Sequence, residues 1–314
     1  MRRFFYAATD VNKDGECDFA ALSTFAMGTT LTLTESITHH WCRVLRANSG
    51  DQGVLFDGFG GEYLVELATI SKKQATATVL AHDADDHTAP IISKIALVMS
   101  RGERMDYAIQ KATELGVTAV QLLTSHHGEV TLKPAQVDKK LAHWQQIAIA
   151  ACEQCGLNRP PLILAPIAIS QWLQNPDTEL NAEINDSIEL NDDSNNKAMS
   201  TDKAVSVSVI VAKLSQDSYY QILGHKADIR LMLSVPSADQ PRAPATLSSV
   251  LTSVLTQPLP YIELLIGPEG GLSPAECQQA EQVNFLPWQI GNRVLRTETA
   301  PVVALATLHA LSHY

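Results

Sequence analysis

The chain has 314 residues, 45% of them hydrophobic, and its 34 acidic residues outnumber 23 lysines and arginines to give a formal net charge of −11. The apolar share excludes a disordered polypeptide, and the length suffices for two ordinary domains. Its longest purely apolar runs, such as Ile95 to Met99, are far too short to span a bilayer, while the acidic balance opposes a polyanionic partner unless the charge is unevenly spread.

The start, Met1 to Tyr6, is basic, but no apolar signal stretch follows it, which predicts a cytoplasmic location. Residues 1–75 are expected to form a small β-rich unit. Glu35 to Leu45 has helical spacing with Ile37, Trp41, Val44 and Leu45 on one face. Arg43 and Arg46 stand at its end, where cations suit the helix dipole. A strand containing Val54 to Phe56 ends in the turn Asp57 to Gly61. Glu62 to Ile70 alternates polar and apolar residues as a half-buried strand does, and Thr76 to Leu80 is another such strand.

From Ile91 the pattern becomes an alternation of strands and helices. Ile95 to Met99 reads as a strand, Glu103 to Leu115 as a helix with Gly116 as its C-terminal cap, and Val117 to Leu123 as a second strand. Val137 to Cys155 is a long helix capped by Gly156. Cys152 and Cys155 lie within it, and the chain's five cysteines offer no second pair to complete a zinc site, so no metal is expected. Ile163 to Ala165 is short and apolar. The segment of about 175–203 is rich in Asn, Asp and Ser and reads as a flexible acidic insertion. Pro176 to Lys203 holds eight acidic residues and two lysines, so one excursion carries over half of the net charge and leaves a basic face elsewhere possible. Strand-like Val205 to Val211 and Ile229 to Val235 follow. Such alternation implies an α/β domain, residues 76–314, with a mainly parallel sheet.

The chemistry is concentrated near the C-terminus. Tyr261 to Ile266 is an apolar strand, and Gly267-Pro268-Glu269-Gly270-Gly271-Leu272 follows at once. Ser273, Pro274 and Glu276 then supply an N-cap, a first-turn proline and a capping box. A glycine-rich loop between a strand's carboxyl end and a helix's amino end is where open α/β sheets bind ligands. It fits neither the P-loop nor the G-x-G-x-x-G pattern, so it indicates a ligand but not a nucleoside triphosphate. The next unit repeats the logic: strand-like Phe285 to Ile290, a loop from Gly291 to Ala300, and an apolar helix from Val302 to Leu311 with Thr297 or Thr299 as cap. That loop carries Arg293, Arg296 and Glu298, which either pair at the surface or share a site.

Leu264 to Ser273, followed by Gly291 to Ala300, closely resembles the ribosomal RNA small subunit methyltransferase E family. So do Met99 to Gly116, Trp144 to Gly156, His40 to Arg46 and Gly50 to Gly58. The resemblance runs end to end apart from the acidic insertion. It implies an N-terminal PUA-like β-barrel and a C-terminal SPOUT domain with a deep trefoil knot. It also implies a homodimer that uses S-adenosyl-L-methionine to methylate N3 of a uridine in the decoding region of 16S rRNA within the small ribosomal subunit. The loops expected to wrap the methyl donor map to Leu233, Ser234 and Val235; to Ile266, Gly267, Pro268, Glu269, Gly270 and Gly271; and to Ile290, Gly291, Val294, Leu295, Thr297, Thr299 and Ala300. The sequence departs from the family's pattern in three places: its usual Ser-Glu-Arg is Ser125-His126-His127, an arginine is replaced by Leu157, and a proline by Leu122.

For such a transfer the uridine N3 must lose a proton, and a nearby cation would stabilise the resulting charge. Arg296 is the candidate cation, with Glu298 or Glu269 to accept the proton or orient it. The alternative for both glutamates is a purely structural role. His126 and His127 are candidates for new bases, but adjacent histidines are more often surface residues. Arg2, Arg3, Arg43 and Arg46, with Arg101, Arg104 and Lys94, are the candidate RNA-binding cations. The rival readings are a methyltransferase of the same fold acting on another RNA nucleotide and a non-catalytic RNA-binding relative.

Overall fold

The computed structural model describes residues 1–7, 9–11, 17–19, 21–71, 74–174, 209–235 and 245–312. The acidic insertion therefore lies outside the described residues. The chain forms two compact units: Met1–Thr88 with Ile149–Pro160, and Ala89–Ala148 with Pro161–Tyr314.

The first unit is built on a five-stranded sheet. Its strands are β1 (Arg2–Phe5), β4 (Thr30–Thr32), β5 (Gln52–Phe56), β6 (Glu62–Ile70) and β7 (Ala75–Asp83), in the order β1-β5-β6-β7-β4. Short β2 (Thr9–Val11) and β3 (Cys17–Phe19) pair separately. β1 runs parallel to β5, and the other pairs of the larger sheet are antiparallel. β7 pairs along the whole of β6, which carries the unit past the boundary at residue 75 to Thr88. Burial alternates along β6 and β7 as their sequence pattern predicts, and the inward residues Val65, Leu67, Ala77 and Val79 join Phe4, Leu55 and Trp41 in one core. The expected helix begins at Glu35 but continues from Thr38 to Val44 as a π-helix. The wider turn keeps Ile37 and Trp41 buried and sends Val44 out to solvent, contrary to the 3.6-residue expectation.

Residues 149–160 belong to this unit because polar groups stitch them into it. Glu153 accepts the Phe5 N–H at 2.9 Å, and Asn158 accepts from Arg3 at 2.6 Å. Arg159 pairs with Asp86 and donates to the Phe59 carbonyl at 3.0 Å. Arg3 is also paired with Glu62 and lies over the Phe56 ring. Expected among the RNA-binding cations, it is instead drawn inward by these partners.

The second unit holds an all-parallel six-stranded sheet: β8 (Ile92–Val98), β9 (Ala119–Thr124), β10 (Leu162–Ala168), β11 (Ile229–Leu233), β12 (Tyr261–Ile266) and β13 (Phe285–Trp288), ordered β10-β9-β8-β12-β11-β13. Helices Glu103–Glu114, Ala245–Leu255 and Ala300–Leu311 supply Met105, Ile109, Leu251, Leu305 and Leu308 to one core cluster; Trp172 and Ala280 belong to another with Phe285. Gly116 ends its helix at φ +73°, and a Cβ there would lie 2.6 Å from that of Ala89, so conformation and space both demand glycine. One expectation fails: of the strand-like stretch 205–211, residues 205–208 lie outside the described residues and 209–211 are helical. No described helix is long and apolar enough to cross a membrane.

Charge sits in the middle of this sheet. Lys94, Glu263 and Arg230 are register partners on β8, β12 and β11, and all three are buried. Arg230 Nε lies 2.7 Å from Glu263 and Lys94 Nζ 3.8 Å from it, while the Tyr261 hydroxyl donates to the same carboxylate at 2.9 Å. Lys94 is therefore not an RNA-facing cation, as its sequence context suggested, but one of two buried cations around a single carboxylate. Removing that carboxylate takes one charged partner from each of two buried cations. Glu263→Gln is expected to destabilise the chain by about 3 kcal/mol or more in denaturant unfolding. Lys94→Met, which leaves the Arg230–Glu263 pair intact, should cost less than about 1.5 kcal/mol. Equal losses would show that the three groups do not form one cluster.

Candidate active site

β11, β12 and β13 are neighbours in the sheet and all run the same way, so the loops after Leu233, Ile266 and Trp288 emerge side by side. Between them opens a cavity of about 600 Å³, well within the range of small-molecule sites, roughly 300–1,000 Å³. Its lining takes in Leu233, Ser234 and Val235; the run from Ile266 to Leu272; and Ile290, Val294, Leu295 and Ala300. Most residues expected at the donor site thus meet around one space. Gly291, Thr297 and Thr299 do not line it: Gly291 is exposed at φ +75°, Thr297 is buried, and Thr299 occupies the N-cap position of helix Ala300–Leu311 without a side-chain cap bond.

The glycine loop has a defined shape. Its Gly271 N–H closes a turn onto the Pro268 carbonyl at 2.8 Å, with Gly271 at φ +75°. A Cβ on Gly267 would lie 2.9 Å from Leu272 Cγ, because the loop folds back on itself there. At Gly270 the nearest atom to a built Cβ is His127 Cβ, 3.8 Å away, so a side chain there would meet only an ordinary contact. Helix Pro274–Gln282 begins as expected, with Ser273 and Glu276 forming a reciprocal capping box. Glu276 also accepts the His126 N–H at 2.9 Å.

The three candidate catalytic residues separate. Glu269, on the glycine loop, is ion-paired with Arg104, and both are half exposed. Arg296 is largely exposed and lies outside the cavity lining. Glu298 lies 3.9 Å from it, is mostly enclosed, and has one buried carboxylate oxygen with no hydrogen-bond partner. The arginine that does line the cavity is Arg293, for which the sequence left surface pairing and a shared site both open and named no role. Trp288 and Gln289 also line it and were not anticipated; their position at the end of a strand beside the glycine loop was the available signal. Among the other candidate cations, Arg2, Arg43 and Arg46 are exposed on the first unit, and Arg101 pairs with Glu129 at 3.3 Å in solvent. Among the described residues no cluster suits a metal ion.

An RNA methyltransferase domain model matches residues 87–212 and 203–309, and an RNA methyltransferase PUA domain model matches residues 33–80. A ribosomal RNA small subunit methyltransferase E from Buchnera aphidicola is 25% identical over 279 residues, 89% of this chain and 87% of its own. A crystal structure of a ribosomal RNA small subunit methyltransferase E from Neisseria gonorrhoeae, bound to S-adenosyl methionine, is 27% identical with a TM-score of 0.66; the match covers 99% of this chain and 98% of that one. A Legionella pneumophila putative methyltransferase in complex with the same cofactor is 26% identical with a TM-score of 0.67, covering 99% and 97%.

Glu276 ties the glycine loop to pH. Burial acts to raise its pKa, but hydrogen bonds from the His126 and Ser273 N–H groups and the Ser273 hydroxyl, with the charge of His126, outweigh burial and hold it below the ordinary value. Its stabilising contribution is therefore complete above the unfolded value near pH ~4.3 and is lost as pH falls through the lower folded value. Glu276→Gln should lower stability at neutral pH by about 1 kcal/mol. Urea unfolding should show that gap closing in acid, and a pH-independent gap would exclude this linkage.

Proposed function

Because this chain belongs to the RNA methyltransferase domain family, we propose that it methylates a base of 16S rRNA in the small ribosomal subunit, using S-adenosyl-L-methionine as donor. The observation that carries the reading is the cavity enclosed by the ends of three adjacent parallel strands, with the glycine loop at its centre. At the finer level the proposed target is N3 of a uridine in the decoding region, reached in the cytoplasm. The same reading gives the first unit a closed PUA-like barrel, the second a deep trefoil knot, and the chain a homodimeric state. The roles of individual site residues belong to this proposal too.

The residues present suit the donor. Leu233, Ile266, Ile290 and Leu295 offer apolar surface for a planar base, and Gly270 leaves room for the ligand to approach the backbone. When bound, the donor supplies a methyl group already activated on a sulfonium, so positioning accounts for much of the rate. The protein's remaining task is the acceptor. Arg296, free to reach outward, stabilises the anionic base as its N3 proton departs. Glu298, enclosed beneath it, orients that guanidinium or takes the proton. Glu269 is occupied by Arg104, which makes it the weaker candidate for a base. Arg2, Arg43 and Arg46 of the first unit, with Arg101 and Arg104 of the second, hold phosphates.

Gly270→Val tests the donor site cleanly, since an added Cβ meets only an ordinary contact in the folded chain. We expect loss of S-adenosylmethionine binding by calorimetry with an unchanged melting temperature; unaltered affinity would sink the assignment. Neutralising Arg43 and Arg46 should weaken RNA binding and flatten its salt dependence without touching donor affinity. Arg296→Ala should instead cut the single-turnover rate at saturating donor and subunits far more than RNA affinity. Equal losses of RNA affinity with no added loss of rate would remove Arg296 from catalysis. Mass spectrometry of 16S rRNA from a strain lacking the protein identifies the base, and an unmodified position elsewhere in that RNA would favour the related methyltransferase reading.

A further inference from the structure

We infer that His127 is a positioning residue for the methyl-donor site, holding the glycine loop in its binding shape; the inference rests on the donor reading above. His127 lies in the turn that follows β9, outside the three loops that form the cavity. Its Nδ1 is 3.1 Å from the Gly271 carbonyl oxygen. A carbonyl only accepts, so Nδ1 carries the hydrogen and donates. The Gly271 N–H already closes the turn onto Pro268. Both backbone polar groups of this left-handed glycine are therefore fixed, one from within the loop and one by the His127 ring.

The neighbouring contacts point the same way. The His126 N–H holds Glu276, in the first turn of the helix that follows the loop, so the turn after β9 grips both the loop and the helix it leads into. On the opposite side, a Cβ built on Gly271 would be 3.6 Å from Val235 Cγ2, which belongs to the loop after β11. Gly271 thus sits between a cavity-lining side chain and an imidazole that is not itself part of the lining. Glycine loses more conformational freedom on ordering than any other residue. A loop with three glycines in five residues would bear that cost on donor binding, and a tether made beforehand lessens it. His127 contributes through its ring donor and not through the donor molecule or the target base.

The side chain is exposed, so the effect is that of one modest hydrogen bond. The test is calorimetric titration of the full chain with S-adenosylmethionine for the wild type and for His127→Ala, His127→Asn and His127→Gln, with melting temperatures and single-turnover rates beside it. Asparagine carries an N–H on the atom next to Cγ, as Nδ1 does, whereas glutamine carries it one atom farther out. Alanine and glutamine should weaken donor affinity about three- to tenfold, with asparagine restoring it. The change should appear in donor affinity more than in the rate at saturating donor, and the melting temperatures should stay together. Wild-type affinity in His127→Ala overturns the inference alone. Equal loss in all three variants also overturns it, because the ring's bulk and not its N–H would be responsible. A wild type that does not bind the donor overturns the functional reading and this inference with it.

Discussion

The Lys94–Glu263–Arg230 row is the constraint on which the second unit depends. It runs across three adjacent strands at one level, and the same level continues to Phe285 on β13, whose ring lies beside the Arg230 guanidinium. Slipping any of these strands by one residue would turn its charged member to the other face and bury it without a partner. Apolar side chains tolerate many registers at similar energy, whereas an unpaired buried charge costs several kcal/mol, of order 3–5. The row therefore fixes register more sharply than the surrounding leucines and isoleucines. With register fixed, β11, β12 and β13 end in step, and their loops converge on one cavity.

That row also marks where sequence reasoning stopped. The glycine loop, its strand and the capping box were legible because each depends on residues within a few positions of one another. Tyr261–Ile266 and Glu62–Ile70 form as read, since a run of apolar residues or a strict alternation leaves little choice. Lys94 was misplaced because a single lysine in an apolar strand looks the same whether it reaches solvent or meets a carboxylate far along the chain. Arg3 fails for the same reason: its partners Glu62 and Asn158 become neighbours only when the first unit closes. The π-helix was illegible because its extra residue per turn leaves no local composition to read.

Within the site the same division holds. Sequence located the three loops, since each begins where a strand ends. It did not tell Arg293 from Arg296, because which side chain turns inward depends on the path of an irregular loop. The departures from the family pattern sort by location. Leu122 is fully buried in the core and replaces one apolar group by another. Leu157 serves through its backbone carbonyl, which accepts from Arg3 at 3.3 Å. His126 and His127 stand against the glycine loop, so only there does a changed side chain meet the site.

The glycine loop poses opposing demands. Under the proposed donor reading, access requires backbone without side chains, and glycine supplies this at the expense of order. Order must then come from outside the loop, and it does so through two exposed contacts, Arg104 on Glu269 and the His127 ring on Gly271, and one partly buried contact, the His126 N–H on Glu276. The Arg104 pair is solvent-exposed and screened, so it contributes little by itself. The bond to Glu276 is the firmest, because that carboxylate is nearly buried and already shared with Ser273. The loop is consequently anchored at its helix end and looser at its tip, where Glu269 is half exposed. A tip that gives while its base holds suits a donor that must enter before transfer and leave afterwards. It also places the adjustable part of the site next to Arg104, where an arriving phosphate would compete with Glu269 for the same guanidinium.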